Sequence, residues 1–406
     1  MKEKIWFLVL SAALTMGSVA PGAAEKKYDP GVTDTEIKIG QTVAFSGPAS
    51  AYPALGKTAA AYMKMINDHG GINGRKINLI QYDDAYSPPK TVEQTRRLVE
   101  SDEVLLIFQP IGTGPSAAVQ KYLNQKKVPQ LFPGSGGSRF TDPKNFPYSA
   151  GFNPNYKSEG RIYAQYVLEN YPNARIGVLY QGDDFGKDYL AGFTSGLGAK
   201  ASIMIVAEAS YELSDPTIES QIVQFKSRGV DLIFDAATAK FTAQAIRKIA
   251  ALGWQPVHIL NINVASVGAV IQPAGLENSK GVISAHYIKD TLDPTWKDDP
   301  GLKKYLEFMA RYYPEGDKDS SYNTSSYSKS QLMVEILKRC GDNLTRENIM
   351  KQVANLHDIQ LDLLLPGILG NTSPTDYRVI KQFQMMKFNG ERWELFGSIV
   401  TDRDNP

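Results

Sequence analysis

Two pairs of adjacent carboxylates, Asp83-Asp84 and Asp183-Asp184, stand at the ends of apolar runs, where such pairs can hold a cation. Neither pair sits in an EF-hand or comparable loop, and hydrogen bonding to the loop backbone is the better account of both. The four histidines, His69, His258, His286 and His357, never fall at the spacing of a metal set or catalytic triad. His258 lies in a strand pattern and reads as a packed side chain. Ser135 and Ser138 lie in a glycine-rich run, but not as G-x-S-x-G. Asp184-Phe185-Gly186 copies a kinase tripeptide without any other kinase element. Gly112-x-Gly114-x-x-Ala117 follows a strand pattern and opens a helix, as a relaxed dinucleotide fingerprint does. That fingerprint needs an acid about 20 residues on for a ribose hydroxyl, and Leu131-Phe132-Pro133-Gly134 stands there instead. No catalytic residue, cofactor or metal is expected. The chemistry that these residues support is binding.

Binding needs donors held in fixed places, and the pattern of elements supplies the places. Strands are expected at Glu36 to Val43, Ile77 to Tyr82, Val104 to Phe108 and Pro129 to Phe132. Between them lie helices at Tyr52 to His69, from Pro88 to Glu100, and from Pro115 to about Lys126. The first carries Leu55, Ala59, Tyr62, Met63 and Ile66 on one stripe and is stopped by Gly70-Gly71. The alternation restarts after Asn153. Strands are expected at Ile176 to Tyr180, Ser202 to Ala207, Asp231 to Phe234 and His258 to Asn261. Helices are expected at Lys187 to Ala199, Ser220 to Arg228 and Lys240 to Leu252. This is an α/β chain in two similar halves with parallel sheets covered on both faces. Ligands of such sheets bind beyond the carboxyl ends of the strands. The loops there are Phe45-Ser46-Gly47-Pro48, Gly112-Thr113-Gly114, Gly134-Ser135-Gly136, Gly182-Asp183-Asp184-Phe185, Ala236-Ala237-Thr238 and Asn261-Ile262-Asn263. Their amide and hydroxyl donors at helix starts suit an anion such as a carboxylate.

The chain begins with Lys2 and Lys4, an apolar stretch from Ile5 to Leu14, and small residues ending at Ala24. That pattern is a secretory signal peptide over residues 1–24, cut near Ala24, and it implies a periplasmic location. The stretch is shorter than the roughly 20 residues that span a bilayer. Hydrophobic residues at 42% and charged residues at 21% fit a packed globular chain. Without Lys2, Glu3 and Lys4, the 44 basic and 43 acidic residues become 42 and 42, a balance that excludes a nucleic-acid partner. Cys340 is the single cysteine, so no internal disulfide forms. It falls in a helical pattern and is expected to be buried.

Several stretches carry a resemblance. These are residues 32–88 (VTDTEIKIGQTVAFSGP onward), 144–155 (KNFPYSAGFNPN), 175–189 (RIGVLYQGDDFGKDY), 273–284 (PAGLENSKGVIS) and 343–353 (NLTRENIMKQV). The chain resembles the periplasmic substrate-binding proteins of ABC importers, in the leucine/isoleucine/valine-binding family. The resemblance implies a type I periplasmic binding protein: two Rossmann-like lobes with parallel-rich sheets, joined by three crossovers near Asn153, Ala285 and Leu364. The lobes would be residues 25–152 plus 286–363 and residues 153–285 plus 364–406. It implies a monomer that delivers a small ligand to a membrane permease and ATPase and does no chemistry on it. An exported sensor or enzyme is the competing class.

By the same resemblance, the serine that holds the ligand carboxylate falls on Thr113, beside Gly112. A neighbouring family threonine falls on Gly136, in the loop Gly134-Ser135-Gly136, where Ser135 offers a hydroxyl. Aromatic positions fall on Tyr52, Phe185 and Tyr322, and a family tyrosine falls on Thr238. The glutamate that takes the ligand ammonium falls on Asn263, which cancels no charge; Asp235 and Glu277 are the nearest acids in sequence. An unpaired ammonium in a closed cleft costs several kcal/mol. The expected ligand is therefore a small carboxylate without an amino group, aromatic or otherwise, and the alternative is a branched-chain or other apolar amino acid.

Overall fold

The computed structural model describes residues 26–402 except Pro48 and Ser50. The expected signal peptide lies outside the described residues. One sheet has five parallel strands, in the spatial order Lys76–Asp83, Glu36–Val43, Leu106–Phe108, Gln130–Leu131 and Ser149–Ala150. Numbered along the chain, that order is 2-1-3-4-5. The second sheet repeats it with Ile205–Tyr211, Ile176–Gln181, Leu232–Ala236, Val257–Leu260 and Ile283–His286. It then adds an antiparallel pair, Gln382–Phe388 and Trp393–Thr401. Strands such as Leu106–Phe108 and Leu232–Ala236 are buried along their whole length, as helices on both faces require.

The chain passes between the two sheets three times: after Ala150, after His286 and before Gln382. Two of these passages pair with each other, through Lys289 N–H to Leu363 O at 2.8 Å and Leu365 N–H to Tyr287 O at 3.0 Å. The helices Pro300–Tyr312, Ser321–Cys340 and Arg346–Val353 return to cover the first sheet. The Arg346 guanidinium fastens this layer by donating to Leu105 O and Val104 O, both at 2.9 Å.

The expected elements appear within two or three residues of their places, with one exception. The strand expected over Ser202 to Ala207 forms only in its second half and runs on past it, over Ile205–Tyr211. Ala201–Met204 is a turn of helix, and the strand begins only at Ile205. A short apolar run is compatible with either state, whereas the alternating burial of Ala207, Ala209 and Tyr211 is compatible only with a strand. The helix expected from Pro115 starts at Thr113, which brings its free amide end to the cleft. Cys340 ends the helix Ser321–Cys340 and is buried, with its thiol pushed up to about 12 by that burial.

Two helices of the second half, Tyr156–Asn170 and Asp184–Leu197, touch backbone to backbone through glycines. A Cβ on Gly192 would stand 2.3 Å from Lys157 O, and one on Gly160 would stand 2.7 Å from Phe193 N. This close crossing stacks Tyr156 on Tyr189 at 4.5 Å and sets Phe185 edge-on to Tyr156 at 5.2 Å. Gly192→Ala is therefore expected to destabilise the protein by roughly 1–3 kcal/mol, the overpacking range, and to lower the Tm measured by circular dichroism. An unchanged Tm would mean that the helices part without cost.

Candidate ligand-binding cleft

The carboxyl ends of both sheets face one cleft of about 680 Å³. The strand ends turn sharply there. Gln109 and Phe132 take left-handed φ values of 48° and 57° just past two strands of the first sheet, and Gly112 takes 96°. Ala85 and Tyr86 are left-handed in succession, at 51° and 59°. That turn lays the Tyr86 ring over Gly112, where a Cβ would meet it at 2.4 Å. Residues other than glycine hold such conformations only when their surroundings impose them.

Of the ten residues singled out from sequence, Tyr52, Gly112, Thr113, Gly134, Phe185, Thr238, Asn263 and Tyr322 line the cleft. Ser135 and Gly136 sit one layer behind. The Ser135 hydroxyl shares a 2.7 Å hydrogen bond with the Thr113 hydroxyl and accepts from Gly137 N–H at 3.0 Å. Gly136 turns its side-chain position into Pro154 O and the Tyr156 ring, so a threonine there would collide with both. Thr113 opens the helix Thr113–Gln125, whose first amides have no partner within the helix. Thr238 is engaged by Tyr211, which accepts from its N–H at 2.8 Å.

The donors of Asn263 are also engaged, while its Oδ1 has only Asn153 Nδ2 at 3.5 Å. Asn263 Nδ2 donates to the Tyr189 hydroxyl at 3.0 Å and to Asn261 Oδ1 at 3.1 Å, and its carbonyl accepts from the Tyr322 hydroxyl at 3.2 Å. Behind it lies Glu159, which accepts from Tyr189 at 2.5 Å and from Ile262 N–H at 2.7 Å. Burial pushes the Glu159 carboxyl up to about 7, against the pull of those two bonds. Neither acid singled out from sequence reaches the cleft. Asp235 turns into the core, bonded to His258 and Thr242 at 3.2 Å each, and Glu277 lines a separate surface hollow.

Sequence reasoning missed Tyr86, Tyr156, His286 and Lys329, which line the cleft too. Lys329 is 1% exposed. Its Nζ lies 5.9 Å from the centre of the Phe152 ring, and it has no hydrogen-bond or ion-pair partner among the described residues. Desolvation alone pulls it down to about 7. Its seven-residue spacing from Tyr322 on one helix face was the available signal. His286 accepts from Ile288 N–H at 3.0 Å through Nδ1, and burial pulls it down to about 4, so it is neutral with its proton on Nε2. No Asp or Glu lines the cleft among the described residues. No group of His, Cys, Asp and Glu among them could hold a metal.

Residues 36–392 match the family described as periplasmic binding protein. The chain belongs to that family. This binding protein is 24% identical over 347 residues to Leu/Ile/Val-binding protein homolog 7 of Brucella abortus (strain 2308), covering 80% of this chain and 81% of the relative. It shares the fold of a branched-chain amino acid ABC transporter protein from Thermus thermophilus solved with bound valine, at a TM-score of 0.82 and 16% identity, covering 92% and 98% of the two chains. A fatty acid ABC transporter substrate-binding protein from Thermomonospora curvata superposes with a TM-score of 0.78 and 20% identity, covering 93% and 95%. The expected type I periplasmic binding protein fold of the branched-chain amino acid family is thus correct.

In the unliganded binding protein the charge on Lys329 is a liability, because a buried ammonium without a counter-ion is destabilising. Its folded value of about 7 lies below the unfolded value, so the folded state binds fewer protons than the unfolded state between pH 7 and 10. Stability from this group therefore rises with pH across that window. Lys329→Met is expected to raise the Tm at pH 7 and to remove that slope in chemical denaturation. A lower Tm in the variant at pH 7 would show that the ammonium has a partner.

Proposed function

We propose that this protein is the extracytoplasmic receptor of an ABC importer, and that it captures a small carboxylate without an amino group and hands it unaltered to a membrane permease. One observation carries the ligand class: the cleft offers amides, hydroxyls and one unpaired ammonium, and no side-chain carboxylate. An amino acid would bring an ammonium with nothing to neutralise it, since Glu159 reaches the cleft only through Tyr189 and Asn263. The walls favour a ring or compact hydrocarbon. Tyr52, Tyr86 and Tyr322 pack together on one side, with centroids 5.9 and 5.5 Å apart, and face Tyr156 and Phe185. The branched-chain amino acid reading rests on the names of the relatives.

The capture step is closure of two lobes, residues 25–152 plus 286–363 against residues 153–285 plus 364–406, acting as a monomer in the periplasm. Bonds across the cleft support a closed arrangement. Tyr322 donates to Asn263, Ser138 N–H meets Asp188 at 2.7 Å, and Arg139 meets Asp184 at 3.0 Å. Hinge closure around a ligand is a common switching mode.

Thermal-shift and calorimetric panels of benzoates, phenylpropanoids, aliphatic acids and apolar amino acids test the ligand class, because a ligand stabilises the state it binds. The amino-free acids are expected to raise the Tm. Tight leucine or valine binding with silence from the acids would overturn this choice, and turnover of any ligand would make the protein an enzyme. Saturating ligand is expected to shrink the small-angle scattering radius, and no change would refute closure. Carboxylate affinity is also expected to fall by up to roughly tenfold per pH unit from pH 7 to 9, as Lys329 loses its proton and Glu159 its own. A flat profile in that range would exclude Lys329 as the counter-charge.

A further inference from the structure

Two separate parts of the cleft are built for oxygen acceptors. Ser326 fixes the level of the long helix, because its hydroxyl bonds Gln109 Oε1 at 3.1 Å and Leu55 O at 2.7 Å. Gln109 stands at a strand end. Thr113 lies four residues beyond it, toward the mouth, where it also lines a surface hollow with Arg139, Lys187, Asp184 and Asp188. Lys329 lies the other way, nearly one helical turn of about 5 Å past Ser326. There it meets Phe152, whose ring packs on Phe132 at 5.9 Å and Tyr287 at 6.1 Å. Five tyrosines and Phe185 share the lining with Thr113 and Lys329, and no second Lys, Arg, Asp or Glu lines the cleft among the described residues.

We infer that the ligand has an oxygen at each end, with its carboxylate at Lys329 and a second acceptor at the helix start of Thr113. This rests on the reading of the cleft as a carboxylate receptor and names the kind of carboxylate. The charged end belongs at Lys329, because a full charge in a dry site needs a full counter-charge. The Thr113 amides and hydroxyl carry partial charges and suit a hydroxyl, carbonyl or second carboxylate. The Lys329 end is also a stop. His286 and Ser321 also line a neighbouring hollow with Asp290, Asp293 and Asp319, whose one cation among the described residues, Lys289, is paired with Asp299, so the balance there is unfavourable to an anion. The ligand class is thus a short aromatic or similarly rigid carboxylate with an oxygen substituent on the far side of the ring.

Isothermal titration calorimetry with benzoate, 4-hydroxybenzoate and terephthalate tests this on the wild-type protein, Lys329→Met, Thr113→Val and the double variant, each checked for folding by circular dichroism. Lys329→Gln serves as a second neutral variant. The far oxygen is expected to tighten wild-type binding by roughly tenfold, a hydrogen bond to a charged or polar group. Thr113→Val should remove most of that gain, so that 4-hydroxybenzoate and terephthalate fall toward the affinity of benzoate in the same variant. Lys329→Met should weaken all three ligands and keep the gain, so the two effects add. Equal affinity for benzoate and its substituted forms would overturn the two-ended ligand while leaving the receptor reading intact. So would non-additive loss of benzoate itself, because both residues would then hold one carboxylate. Failure of all three acids to bind would instead sink the reading of the cleft as a carboxylate site.

Discussion

An ammonium group taken out of water without a counter-ion raises the free energy of the fold that holds it, and Lys329 is such a group. Its backbone is held by the long helix Ser321–Cys340, and its Nζ lies 5.9 Å from the centre of the Phe152 ring. The rest of the chain fits around that fact. A large core in each half tolerates a local cost of this kind, because hydrophobic burial and chain entropy nearly cancel and the core supplies the margin. The aromatic walls keep water from screening the charge. A ligand that supplied a negative charge there would have a large differential effect on the state that encloses it.

The two sheets share the strand order 2-1-3-4-5, and their carboxyl ends point at one cleft from opposite sides. That arrangement delivers helix starts and short loops to a common space without any long excursion of the chain. The first half contributes Thr113, Tyr52, Tyr86 and Tyr322, and the second contributes Tyr156, Phe185, Thr238 and Asn263. A chain of hydrogen bonds runs from Glu159 through Tyr189 to Asn263 and on to Tyr322, crossing from the second half to the first. It consumes the donors of Asn263 and both oxygens of Glu159. An acid is therefore present near the cleft, but both its oxygens are already committed to Tyr189 and Ile262 of its own half.

The match to solved receptors is strong in backbone and weak in sequence, with a TM-score of 0.82 at 16% identity in one case. Divergence of that size leaves the fold intact while the side chains in the cleft change. In this chain the cleft is lined by Lys329 and by no Asp or Glu among the described residues, and ligand preference follows charge character more directly than it follows backbone similarity.

Local pattern in the sequence determined the alternation of strands and helices, the start of Glu36–Val43, and the loops that would face a ligand. Periodicity and glycine punctuation are properties of neighbouring residues, so they survive without knowledge of the fold. The start of the strand expected at Ser202 was misread because a short apolar run has no period to judge. The final strand pair, announced by Asn389-Gly390, went unread although that hairpin signal was available. The isolation of Lys329, the commitment of Asn263 and Glu159, and the retreat of Ser135 and Gly136 behind the cleft surface were decided only by the tertiary structure. Each depends on which atoms the fold brings within a few ångströms of one another, from Thr113 and Ser135 to Phe152 and Lys329. Burial and pairing of a charge are properties of that surrounding, and no local spacing encodes them.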